Sequence, residues 1–111
     1  MYAICRTIQN KFPVGFNQAK RKVLECLNSG HVLHEVRNNI DTKNLFATGF
    51  VSLEEASCII ARSKGDDYFS SPHHFDNEIE VHVIKTVFSG RHWYIKWYFL
   101  EPDSVFISFH H

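Results

Sequence analysis

The sequence predicts an α+β fold, with N-terminal helices packed on one face of a C-terminal antiparallel β-meander. Two observations carry this expectation. Apolar residues recur at helical spacing as far as Gly65, and from Glu78 onward the period changes to 2. Three alternating runs then follow one another with only the short turns Ser89-Gly90 and Pro102-Asp103 between them, as in a meander. Helices first and strands afterwards give a two-layer arrangement with one sheet face left open. A chain of 111 residues fits a single domain and is long enough to bury a core without staples.

The elements follow in order. Residues 1–16 are expected to form a loosely attached arm, or a short strand over 2–8, with Pro13 and Gly15 as punctuation. A helix then runs from Asn17 as N-cap to just before Gly30. Ala19, Val23, Leu24, Cys26 and Leu27 form its apolar stripe, and Lys20, Arg21 and Lys22 its solvated side. A shorter helix is expected over residues 31–38, burying Val32, Leu33 and Val36, with a loop through Asp41-Thr42-Lys43-Asn44. The clearest start signal is Ser52-Leu53-Glu54-Glu55. Its serine can accept a backbone N–H, and the glutamate three residues on can reach back to complete a capping box. Ala56, Ile59 and Ile60 supply the apolar side of this helix and Gly65 closes it. Residues 17–65 are thus mainly helical, 66–77 a polar and aromatic loop, and 78–110 the sheet.

Within the sheet, Ile79, Val81, Val83 and Val87 alternate with Glu78, Glu80, His82 and Thr86. Trp93, Ile95, Trp97 and Phe99 alternate with His92, Tyr94, Lys96 and Tyr98, and Val105, Ile107 and Phe109 with Ser104, Phe106, Ser108 and His110. If each apolar side faces the helices, the other sides share one open surface.

Composition excludes several classes. Apolar residues at 44% and charged residues at 22% are ordinary globular usage, not disorder. The apolar runs are far shorter than the roughly 20 residues of a membrane span. No basic segment followed by an apolar stretch opens the chain, so no secretory signal is expected and a cytoplasmic location is. Cys5, Cys26 and Cys58 form no C-x-x-C pair, and read as reduced thiols rather than a disulfide framework. Twelve basic residues balance twelve acidic ones, so any surface that attracts nucleic acid must be a local patch, such as Lys20-Arg21-Lys22.

The expected open face carries His82 and Glu80, then His92, Tyr94 and Lys96, then Ser108 and His110. Two imidazoles, a phenol and a lysine are the groups that metal-independent RNA cleavage needs. One group removes the ribose 2′-OH proton and another protonates the leaving 5′-oxygen, and imidazoles suit both because they titrate near neutrality. Lys96 can stabilise charge on the phosphate. Elsewhere, His73, His74 and Asp76 are candidate metal ligands only by residue type, and neither a G-x-S-x-G elbow nor a Gly-rich phosphate loop is present. No metal or cofactor is therefore expected.

These features resemble the MqsR family of bacterial toxin–antitoxin toxins, small endoribonucleases with a RelE/YoeB-like fold. The resemblance spans residues 17–110. It rests on the basic early helix ending in Asn28-Ser29-Gly30-His31-Val32, a later helix carrying Cys58-x-Ile60, and the segment Asp67-Tyr68-Phe69-Ser70. Trp93-Tyr94-Ile95-Lys96 and the terminal Val105-Phe106-Ile107-Ser108-Phe109 complete it; the family ends in a similar Val-Ser-Phe-Lys. The resemblance implies a RelE-like fold, mRNA cleavage in the cytoplasm, and a partner antitoxin that holds the toxin inactive. The family's catalytic tyrosine, in a Tyr-x-Lys pattern, corresponds to Tyr94, with Lys96 completing the pattern. Its glutamine in the preceding strand falls at His82, its C-terminal lysine at His110, and the lysine after its aromatic pair near Ser70. Only Tyr94 and Lys96 match in residue type, but the two histidines keep acid–base capacity. The catalytic set expected is therefore His82, Tyr94, Lys96 and His110, with Lys20, Arg21, Lys22, Ser70 and His92 contacting RNA. A polar outer face is also what any one-sided sheet presents, and net neutrality favours the alternative, a non-catalytic module that binds protein or RNA on the same face.

Overall fold

The computed structural model describes residues 15–37 and 40–111, the side chain of Asp41 apart. The expected arm or strand over 2–8, Pro13 and Cys5 lie outside the described residues. Helix α1 spans Phe16–Ser29 and is followed by β1 at Val32–His34, the short α2 at Ile40–Lys43 and α3 at Leu53–Arg62. A single 3-10 turn at Gly65–Asp67 leads into β2 (Tyr68–Pro72), β3 (Glu80–Phe88), β4 (Arg91–Leu100) and β5 (Asp103–His110).

The fold is α+β, and the sheet is mixed. Among the described residues it has five strands in the order β1-β5-β4-β3-β2, with β1 parallel to β5 and every other pair antiparallel. The meander β3-β4-β5 is as the alternation predicts, and a strand is added at each edge. Residues 32–34 are not helical. They pair with Ser104, Val105 and Phe106, leaving Leu33 half exposed and Val36 87% exposed rather than buried. Likewise residues 68–72 pair with β3 instead of forming a loop. In both cases a partner strand, distant in sequence for β1 and the next along the chain for β2, satisfies backbone groups that local propensity leaves open. The stretch read as a loop before Asn44 closes into α2.

Local signals set the helix ends. Gly15 rather than Asn17 stands at the α1 N-cap, and Gly30 takes a left-handed conformation at its C-cap (φ 80°). The α3 capping box forms as predicted. Glu55 N donates to Ser52 Oγ at 3.1 Å and Ser52 N donates to Glu55 Oε1 at 3.0 Å. The helix ends at Arg62, with Ser63 rather than Gly65 at its cap. At the β3–β4 hairpin Ser89 and Gly90 both have positive φ, 55° and 77°, as a two-residue turn matching strand twist requires.

Ala19, Val23 and Leu27 of α1 and Ala56, Ile59 and Ile60 of α3 bury against Ile84, Trp93, Ile95, Trp97, Phe106 and Phe109 of the sheet. One sheet face thus packs on both helices. Among the described residues the opposite face carries a small cluster of Val81, Val83 and Ile107, with Tyr94 and Tyr98 packed against it.

Candidate functional site

The pairing register decides which side chains share the open face. Tyr94 lies opposite Lys85 of β3 and His110 of β5, and Lys96 lies opposite Val83 and Ser108. The pairing slips between Lys96 and Trp97, so that Ile107 has no partner on β4. This β-bulge reverses the phase of β5. Before it Phe106 faces the helices; after it Phe109 does, and Ser108 and His110 turn to the open side. Without the bulge His110 and Tyr94 would lie on opposite faces.

His110 and Tyr94 stack at 5.3 Å between ring centroids with their planes 19° apart. They line a cavity of about 390 Å³ together with Arg37, Ile40, Lys43, Ile107 and Ser108. Partial burial, then the charges of Lys43 and His111, lower the pKa of the His110 imidazole below its ordinary 6.5. A neutral imidazole beside two cations can accept a proton from a group whose anion those cations favour. Lys96 stands one pleat beyond Tyr94 on the same face and His92 one pleat before it. Lys85 sits over the Tyr94 ring at 5.7 Å and the Phe69 ring at 5.3 Å.

Arg37, Lys43 and Lys85 belong to the site, and sequence reasoning missed all three. Alternation marks Lys85 only once the phase of β3 is known. The other two arrive through chain contacts that no local pattern encodes. Asn44, fully buried, forms a bridge with Phe109, and its side-chain Nδ2 lies 3.1 Å from His34 Nδ1 and 3.5 Å from the Phe106 carbonyl. Its Oδ1 accepts from Ala47 N at 3.0 Å. These bonds anchor α2 beside β5 and so hold Lys43 at the cavity.

Arg37 is held by Glu35, whose carboxylate also accepts from Tyr98 Oη at 2.8 Å and lies 3.3 Å from His73 Nε2. Phe75 N donates to His73 Nδ1 at 3.0 Å, which leaves Nε2 carrying the proton toward Glu35. Burial raises the Glu35 carboxyl, but bonds from Tyr98, Arg37 and His73 and the Arg37 charge outweigh it, so its pKa is lowered. Tyr98 is pushed up to about 12 by burial and by this carboxylate. His73, read from its type as a candidate ligand, instead ties its loop across the open face. Among the described residues no three His, Cys, Asp or Glu side chains gather as a metal-binding group.

His82 is placed differently from expectation. It pairs with Trp97, is only 2% exposed, and faces the helix layer. Its ring stacks on Tyr68 and Trp97, with Nδ1 2.7 Å from the Tyr68 hydroxyl. Burial, then the charge of Lys22, pushes its pKa down to about 4. The alternation of Val81, Val83 and Val87 misleads because Val81 and Val83 are buried on the open side by the small Ile107 cluster, while Ile84, Thr86 and His82 serve the core. Ser70 pairs with His82 and shares its side of the sheet.

The basic helix run is likewise apart from Tyr94. Lys20 Nζ donates to the Ser63 carbonyl at 3.1 Å, and Lys22 pairs with Glu101 and covers the Phe99 ring. Both fasten α1 within the helix layer, on the other side of the sheet, where Arg21 is exposed. The structure therefore brings together Tyr94, Lys96, His110 and His92, and separates His82, Ser70, Lys20, Arg21 and Lys22 from them.

The fold and site define an α+β protein with a tyrosine–histidine pair in a cationic cavity on an open sheet face. Neither a family model nor a curated protein matches the chain. No helix among the described residues is long and apolar enough to cross a membrane.

Proposed function

We propose that the chain is a metal-independent endoribonuclease of the RelE-like toxin type, acting on mRNA in the cytoplasm and silenced by an antitoxin partner. The observation that carries the reading is the stacked Tyr94–His110 pair in one cavity with Arg37 and Lys43. His110 takes the proton of a ribose 2′-OH, and the freed oxygen attacks the adjacent phosphorus. The bond to the 5′-oxygen breaks as the Tyr94 hydroxyl delivers its proton there, leaving a 2′,3′-cyclic phosphate and a 5′-hydroxyl. Arg37 and Lys43 in the cavity, with Lys96 beside it, balance the charge that grows on the phosphate oxygens. His82 has no part in this step.

Digestion of RNA by the purified chain in the presence of a chelator tests the reading. Cleavage with cyclic-phosphate ends that persists in chelator, and falls by roughly 10²-fold or more in His110→Ala, is expected. Net neutrality favours a second reading, a binding module without catalysis. RNA binding with no cleavage would select it.

A further inference from the structure

A second cavity, of about 300 Å³, lies at the same end of the sheet, lined by Leu45, Phe50, Val51, Glu55, Arg91, Trp93 and His111. We propose that it is a subsite for an unpaired RNA base flanking the phosphate held at His110.

Its shape and chemistry fit a flat heteroaromatic ring. Leu45 and Val51 are aliphatic, and the Trp93 and His111 rings meet edge to face at 4.8 Å. Phe50 is 80% exposed. A lone exposed Phe signals little, but this one borders a concave site with other rings, where a base can stack on it. Few polar groups converge there, as in small-molecule sites generally. Arg91 Nη1 lies 3.3 Å from His111 Nε2, and Glu55, one of whose carboxylate oxygens accepts from Ser52 N, is part of the wall. Arginine donates to ring acceptors and a carboxylate accepts from amino or imino N–H groups.

Proximity to the first cavity, through the neighbouring residues His110 and His111, selects RNA as the occupant. Successive side chains at a strand end diverge to opposite faces. His110 lines one cavity and His111 the other, and neighbouring Cα atoms are about 3.8 Å apart. A strand with a phosphate at His110 can therefore turn the next base around the end of β5. The substrate class rests on the ribonuclease reading; the cavity and its rings do not.

The test uses fluorescence anisotropy with an uncleavable 2′-O-methyl RNA of mixed sequence, about 12 nucleotides long, and an abasic strand of equal length. Phe50→Ala, at an exposed position, should keep the melting temperature and weaken binding of the base-bearing strand by roughly tenfold. Phe50→Trp should restore it, and neither change should alter binding of the abasic strand. Equal losses on both strands, no loss on either, or no RNA binding by the wild type would overturn the subsite. Base-dependent binding through Phe50 in a protein that cleaves no RNA would leave the subsite standing and remove the ribonuclease reading. Cleavage with no Phe50 effect would do the reverse.

Discussion

Acidification should destabilise this protein through His82, by an amount that the burial of one imidazole sets. The folded pKa is pushed down to about 4 by burial and Lys22, against an unfolded value of 6.5. Above pH 6.5 the ring is neutral in both states and contributes nothing. As pH falls through 6.5 the unfolded chain binds a proton that the folded chain refuses, so stability drops until pH nears the folded value. Between pH 7.5 and pH 5 the loss from this one group is about 2 kcal/mol, or about 8 °C in melting temperature for a chain of this size. Urea unfolding of the wild type and His82→Gln at both pH values isolates it. Glutamine keeps a polar partner for Tyr68 but does not titrate, so its pH-dependent loss should be smaller by about 2 kcal/mol. His82→Gln should also retain RNA cleavage. Equal losses in the two proteins would refute the argument, since His82 would then be solvated and the register opposite Trp97 wrong.

Three further outcomes test the open face. The acid limb of the cleavage profile should have its midpoint below pH 6.5, because His110 must be neutral and its pKa is lowered; Lys43→Gln should move that limb upward by removing one cause of the lowering. Arg37→Ala and Lys43→Ala should each weaken single-stranded RNA binding, and reduce the slope of log affinity against log salt by about 0.7, as measured by anisotropy across a salt series. Asn44→Ala should cost about 1–3 kcal/mol in urea unfolding by stranding buried partners, and should lower RNA affinity as well because Lys43 loses its anchor.

What was legible in the sequence was local. The α3 capping box, the Gly30 cap and the Ser89-Gly90 turn each depend on residues within a few positions, and each forms. The phase of β4 was also legible, because Trp93, Ile95 and Trp97 offer one apolar side only, which placed Tyr94 and Lys96 on the open face. β3 was not, since Val81, Val83 and Ile84 are all buried and two phases read equally well. β2 reads as a loop because its polar run Ser70-Ser71-Pro72 has no apolar alternation of its own and becomes a strand only by pairing back from β3 across residues 73–79. β1 reads as a helix because its pairing with β5 is long-range. Arg37 and Lys43 were missed for the same reason, as the segment that carries them is placed by β5 rather than by its own pattern.

The two histidines show how a sheet assigns chemistry by face. His82 and His110 share a residue type and a polar-looking position in their strands. Burial against Trp97 and Tyr68 leaves His82 neutral, stacked and unreachable, whereas His110 keeps solvent access beside Lys43 and Tyr94. The bulge at Ile107 makes that division, and the core holds the bulge in place. Regular pairing that kept Ile107 in the ladder would turn Phe109 out of contact with Ile95 and Phe46 and drive His110 toward the helices. Exposing the fully buried Phe109 would forfeit about 1.5–3 kcal/mol, so the packing of Phe106 and Phe109 on the helix side fixes where His110 points on the other. Stability of the core and geometry of the cavity are set by one irregularity in one strand.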